Sequence, residues 1–276
     1  MPRVDSYLST AKRGLPSLVT LLALFFPPPA FAQDDLVTDR PDQTESSVTV
    51  LEGHWQLESG WTMTRDDDGG LSTKMNELPG TLVRIGVSRA WELRFGWSGL
   101  VREATTWEGI RTDVEGAGDA ELGAKVYLRE ERGAAPEVAL LFSTSVPVGD
   151  DDLTSGRFDP SFRLSLADTL SDRLSLGYNL GMEWATDDET GDRHTLSRGI
   201  YTVALGISLG ERTGAFVELY GDVSASDTGS PAHSFDGGFT WLLTDTLQLD
   251  LAGGVGLSDA ASDWFVGLGV SLRAPY

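Results

Sequence analysis

The residues able to do chemistry are few and poorly spaced for catalysis. There is no cysteine, which excludes thiol nucleophiles, disulfides and Cys-ligated metals. The histidines His54, His194 and His233 stand in no metal-ligand spacing. His233 adjoins Ser234, but neighbours on a strand point to opposite faces, and no Gly-x-Ser-x-Gly turn occurs, so a lipase site has little local basis. Gly253-Gly254 and Gly267-Gly269 lack the strand–turn–helix setting of a phosphate loop and read as close-packed strand positions. No cofactor is expected. The acidic runs Asp66-Asp67-Asp68, Asp150-Asp151-Asp152 and Asp187-Asp188-Glu189 read first as solvated charge. Asp150, Asp151 and Asp152 are weak candidates for binding a divalent cation, which would bridge to anionic lipid headgroups.

A larger charged set recurs at every second position of alternating segments: Glu58, Arg84, Glu92, Arg94, Asp119, Glu121, Lys125, Glu137, Arg163, Glu183, Arg198, Glu218, Asp222, Asp236, Asp250 and Arg273. Acids exceed bases in it by four. Unpaired in a packed core, such charges would cost several kcal/mol each. On the wall of a lumen they pair with one another or keep water.

The elements that must carry them repeat with period two. Twelve alternating segments are read, over residues 55–64, 83–87, 91–98, 119–128, 138–146, 162–166, 174–184, 201–209, 215–222, 234–243, 247–255 and 264–276. The clearest sets Leu174, Leu176, Tyr178, Leu180, Met182 and Trp184 against Ser175, Gly177, Asn179, Gly181 and Glu183. The ninth is less clean, because Phe216 and Tyr220 share the acidic face. Connections alternate between short links (88–90, 129–135, 167–171, 210–212, 244–246) and longer ones (65–77, 99–115, 149–158, 185–194, 224–229, 258–262). That asymmetry predicts a closed antiparallel transmembrane β-barrel of about twelve strands, with short periplasmic turns and longer extracellular loops. Tryptophans fall near both ends of the segments, as two lipid interfaces favour. A soluble sandwich or lipocalin-like barrel would also alternate, but it offers no place for the charged face.

The ends fit export. Arg3, Lys12 and Arg13 precede an apolar run from Leu15 to Phe26, and Ala30-Phe31-Ala32 follows as a small-residue cleavage site. Residues 1–32 read as a signal peptide, 33–53 as a periplasmic N-terminal segment and 54–276 as the barrel. Removing 1–32 moves the net charge from −21 to −23, which argues against nucleic-acid binding. No later stretch is apolar enough for a membrane helix. The expected partners are outer-membrane lipids and lipopolysaccharide, the barrel-assembly machinery, addressed by a last strand ending on Tyr276, and a small-molecule solute.

After the cleavage site stands Asp39-Arg40-Pro41-Asp42-Gln43-Thr44-Glu45-Ser46, then Val48-Thr49-Val50, Gly53, Gln56, Glu58 and Gly60. Further on come Glu92-Leu93-Arg94, Gly118-Asp119 with Gly123 and Lys125, and Pro147 with Gly149. This pattern resembles the phenol-degradation meta-pathway (MetA-pathway) outer-membrane transporter family. The resemblance implies an outer-membrane channel for small compounds, aromatic or hydrophobic ones included, and assigns no binding residues. Gln43 departs from it, since an aromatic residue is expected there. A barrel with a plugged lumen, serving structure or adhesion, is the alternative.

Overall fold

Alternation places one side chain of each pair toward lipid and the next toward the lumen, so the chain settles into long antiparallel ladders. The computed structural model describes residues 36–187, 194–225 and 229–275. The expected signal peptide, Asp188 and Glu189 of the third acidic run, and Tyr276 lie outside them. Fourteen strands are formed by the described residues: β1 (Trp55–Asp68), β2 (Leu71–Ser88), β3 (Trp91–Trp97), β4 (Leu100–Trp107), β5 (Ile110–Ala117), β6 (Ala120–Arg129), β7 (Glu137–Val146), β8 (Pro160–Ser171), β9 (Leu174–Asp187), β10 (His194–Ser208), β11 (Thr213–Ser224), β12 (Ala232–Thr244), β13 (Leu247–Gly256) and β14 (Trp264–Ala274). Every pairing is antiparallel, and β1 closes the sheet on β14 from Trp55↔Ala274 to Arg65↔Trp264. Closure removes the sheet edge that lipid could not solvate.

Twelve strands, β1–β3 and β6–β14, make the barrel. The other two correct the loop assignment. Residues 65–77 and 99–115, expected as loops, continue as ladder: the outer half of β2 pairs with β4 from Leu71↔Trp107 to Leu78↔Leu100, and β4 pairs with β5. The inner half of β2 pairs with β3 instead, from Thr81↔Trp97 to Ser88↔Trp91. The change of partner falls at Pro79, which has no N–H to give either ladder. Beyond the hydrocarbon both faces meet polar surroundings, so the hydropathy period fades over Arg65-Asp66-Asp67-Asp68 although the strand continues. The turns carried the missing signal. Gly69 (φ 54) with Gly70 (φ 94), and Glu108 (φ 50) with Gly109 (φ 81), supply the two positive φ values of a tight two-residue hairpin.

The interior is inverted relative to a soluble fold. Leu93, Phe95, Leu122, Leu180, Leu219, Phe235 and Leu268 are exposed, while the largest fully buried side chains include Arg84, Lys125, Gln56, Glu58, Glu92 and Glu218. Exposed tryptophans stand at both rims, Trp55, Trp91 and Trp241 at the short-turn end and Trp97 and Trp264 at the long-loop end. An aliphatic band between aromatic girdles is the outer surface of a transmembrane barrel.

Candidate functional site: a lumen filled by the N-terminal segment

The described part of the N-terminal segment, residues 36–54, forms no helix or strand. Expected on the periplasmic side, it instead enters the barrel and is held there by the charged wall. Near the short-turn end Gln56 Nε2 donates to Val37 O (2.8 Å) and Gln248 Nε2 to Thr38 Oγ1 (2.9 Å). The segment reaches inward to Arg40–Gln43 and returns to Gly53 (φ 79), whose N–H donates to Gly86 O (3.0 Å). At Gly86 the return arm lies against the wall so closely that an added Cβ would stand 2.1 Å from Leu51 O and 2.4 Å from Val50 O. The physical reason for this path is pairing. Buried charges need partners, and a segment rich in Asp, Glu, Arg, Ser and Thr carries them.

One side of the wall is cationic. Arg84 on β2 and Arg94 on β3 are direct register partners, and Glu92 is the partner of Lys125 on β6. Like charges facing across a ladder repel, so acids must interleave. Glu92 accepts from Arg84 Nε (2.9 Å) and Arg94 Nη1 (3.1 Å), and Glu58 Oε1 from Arg84 Nη1 (3.0 Å). The N-terminal segment completes the set with Asp39, which pairs with Lys125 Nζ (3.1 Å), Arg84 Nη1 (3.2 Å) and Arg94 Nη1. Ser46 donates to the same carboxylate from N (2.8 Å) and Oγ (2.6 Å). Burial alone would raise the pKa of Asp39, but the charges of Arg84, Lys125 and Arg94 outweigh it and hold the carboxyl well below its usual range. Glu45 bonds Arg94 Nη2 (2.7 Å), yet burial dominates and pushes it up to about 7. The amides of Asp39 and Arg40 both donate to Glu58 Oε2, at 2.9 Å each.

The opposite side is acidic. Glu218 on β11 and Asp236 on β12 are register partners, both buried, and Asp250 on β13 is buried too. Arg40 crosses to this side and bonds Asp250 at 3.1 Å. It passes the register pair Gly60↔Gly269, where an added Cβ would stand 2.5 and 2.4 Å from its guanidinium. Gln43 N (2.7 Å) and Thr44 Oγ1 (2.6 Å) donate to Glu218. Asp42 is pushed well above its usual range by burial, with Glu218, Asp236 and Asp39 adding repulsion. The plug thus joins two walls of opposite sign, Asp39 and Glu45 meeting the cations and Arg40 the acids.

Glu121 and Arg163 line a small cavity beside Glu45 and Arg94, and Arg163 Nη1 donates to Gln43 O (3.4 Å). Glu183 pairs in register with Arg198 and Ser161. Arg273 is buried near the inner rim, opposite Gln56. Asp119 precedes β6 and accepts from the amides of Gly149 (2.9 Å) and Ser155 (3.0 Å), anchoring an outer loop. Partial burial raises its pKa, but those amides outweigh it and leave the carboxyl below its usual range. Asp150 accepts from Ala117 N (2.7 Å), while Asp151 and Asp152 are exposed. Among the described residues no group of three or more His, Asp or Glu side chains is arranged to hold a metal ion.

Sequence reasoning held a plugged lumen as an alternative but missed that the N-terminal segment fills it, and missed the segment's uncharged contacts. Asn179 accepts from Glu45 N (2.7 Å) and donates to Glu45 O (3.0 Å), Ser165 donates to the same carbonyl (2.6 Å), and Thr202 bonds Thr44 (2.6 Å). All three wall residues occupy the polar register of their strands, which was the available signal.

Cavities lie on both sides of the plug. The outer one, about 660 Å³, has Arg40–Gln43 as its floor and Met75, Ile200, Tyr220 and Phe265 among Thr62, Thr64 and Asp222 in its wall. The inner one, about 310 Å³, is bordered by Val37, Ser47, Glu137, Asp168 and Phe216. Asp42 borders both, so the plug is the partition.

Comparison with known proteins agrees with this architecture. An outer membrane channel from Pseudomonas putida F1 superimposes with a TM-score of 0.66 at 14% identity, covering 86% of this chain and 100% of that one. The NanC porin gives 0.51 at 12% identity (79% and 98% covered), and the transport unit of the autotransporter AIDA-I from Escherichia coli gives 0.53 at 7% (87% and 93%). At such identities the likeness is one of fold. No curated protein matches the sequence. The sequence profile of one family matches residues 38–274, from the plug through the last strand. The chain therefore belongs to the family described as "Putative MetA-pathway of phenol degradation".

Proposed function

We propose that this outer-membrane barrel is a channel for small, weakly polar solutes, aromatic compounds among them, and that passage requires the N-terminal segment to shift. The observation carrying this reading is the pair of cavities parted by one ion-paired segment. An apolar cavity of about 150 Å³ suffices for benzene, so the outer cavity has room for a monoaromatic ring beside Tyr220 and Phe265. Its threonines and carboxylates suit a hydroxyl on such a ring. The family description points the same way. The charged wall residues then have two roles, seating the plug and setting the field a solute meets.

Several further assignments belong to the same reading. Residues 1–32 direct export and are removed, the barrel-assembly machinery inserts the chain through its last strand, and the outer rim faces lipopolysaccharide. A non-enzymatic role fits this reading, and the local lipase pair gains no support: His233 Nδ1 is within hydrogen-bond distance of Tyr201 Oη (2.9 Å), and Ser234 is buried on the opposite face of the same strand. The density of ion pairs around Asp39 favours a second reading, a permanently closed barrel. Uptake of a radiolabelled monoaromatic compound by cells separates the two. Faster uptake with the protein present, and faster still without residues 37–50, supports the channel; no change in either case supports the closed barrel.

A further inference from the structure

The outward face of the barrel carries a charge arrangement that the lumen does not explain. Arg65 on β1 and Lys74 on β2 are direct register partners, and Trp264 on β14 is the partner of Arg65 on its other side. Thr64 and Met75, the neighbours of Arg65 and Lys74, line the outer cavity, so Arg65 and Lys74 point away from the lumen. Two cations directly opposed on a ladder repel each other. Arg65 is relieved by Asp67 (2.8 Å), but Lys74 is exposed and its side chain bonds nothing among the described residues. Arg102 on β4, the register partner of Asn76, lies on the same face with its side chain 60% exposed, and its nearest acids are 4.0 Å away.

Position selects the partner. Trp264 belongs to the outer aromatic girdle, the level of lipid headgroups. Toward the membrane the same face becomes apolar, with Trp61↔Leu268 and Met63↔Val266 on β1 and β14 and Leu78↔Leu100 on β2 and β4. Cations above and acyl-sized apolar strips below match a phosphorylated glycolipid of the outer leaflet. We propose that the outward face of β14, β1, β2 and β4 binds the phosphorylated lipid anchor of lipopolysaccharide, with Arg65 and Lys74 sharing one phosphate and Arg102 flanking it. This rests on the outer-membrane placement and is independent of whether the lumen conducts.

The test uses the full-length barrel in mild detergent, titrated with bisphosphorylated lipid A and followed by thermal stability and native mass spectrometry. The double variant R65Q/K74Q should bind lipid A about tenfold more weakly than wild type. Dephosphorylated lipid A should bind wild type equally weakly, and inorganic phosphate should not stabilise it at concentrations where lipid A saturates. R132Q, an exposed arginine at the short-turn end, should behave as wild type. Heat-modifiable gel mobility verifies folding, and K74Q alone serves if the double variant does not fold, since the Lys74 side chain bonds nothing among the described residues. Unchanged lipid A affinity in the variants, equal stabilisation by inorganic phosphate, or an equal loss in R132Q would each overturn the assignment.

Discussion

Asp39 is where the plug is most firmly tied, and replacing it with Asn isolates the charge from the shape. Its carboxylate is buried against Arg84, Arg94 and Lys125. Removing one partner of a buried ion pair costs about 3–5 kcal/mol. The lower end applies, because Glu58, Glu92 and Glu45 stay to balance the three cations and the Asn carbonyl keeps the Ser46 bonds. About 3 kcal/mol shifts the balance between seated and released plug by roughly a hundredfold. The natural absence of cysteine offers a clean assay. Ser47 is 2% exposed and bonds Glu137, so a thiol introduced by Ser47→Cys reacts only when the plug leaves its seat. Maleimide labelling should be about a hundredfold faster in D39N/S47C than in S47C, accompanied by more frequent channel openings. Equal labelling rates in the two folded proteins would refute the claim that Asp39 holds the plug.

Other outcomes follow from the same geometry. Arg40→Gln should loosen the plug about tenfold, less than Asp39→Asn, because it loses a single 3.1 Å bond from a partly exposed side chain; labelling of S47C checks it. Gly86→Ala should unseat the return arm and raise conductance without lowering folded yield, since β2 is held by ladders on both sides and residues 50–51 are not. Normal closure in G86A would contradict the close approach. On intact cells a cysteine at Asp151 should be labelled from outside and one at Arg89 should not, and the reverse pattern would invert the barrel. Deleting Tyr276 should reduce insertion far more than His233→Ala, measured as folded protein in outer-membrane fractions.

The barrel strands were legible because lipid and lumen impose opposite demands on alternate residues, as in Leu174 to Trp184. Where that contrast ends, legibility ends: Arg65 to Asp68 and Arg102 to Glu115 lie at the headgroup level and beyond it, clear of the hydrocarbon, and only Gly69-Gly70 and Glu108-Gly109 marked their turns. The plug was harder. Residues 36–54 have no period, and their fold is dictated by partners far away in sequence, as Asp39 with Lys125 and Arg40 with Asp250. One clue was present, for the three wall cations Arg84, Arg94 and Lys125 cluster on neighbouring strands, where Arg84 and Arg94 share only two wall acids, Glu58 and Glu92, as ion-pair partners. Phe265 and Tyr220, which give the outer cavity its aromatic wall, sit in polar registers where alternation discounts them.

The central claim is that the N-terminal segment closes an otherwise passable, acid-rich lumen. Planar-bilayer recording of the wild-type barrel and of a variant lacking residues 37–50, under a salt gradient, tests it most directly. The deletion should convert small, rare openings into a steady conductance whose reversal potential is cation-preferring, because acids exceed bases by four among the wall charges that remain. Conductance unchanged by the deletion, or clear anion selectivity in the opened barrel, would contradict the account.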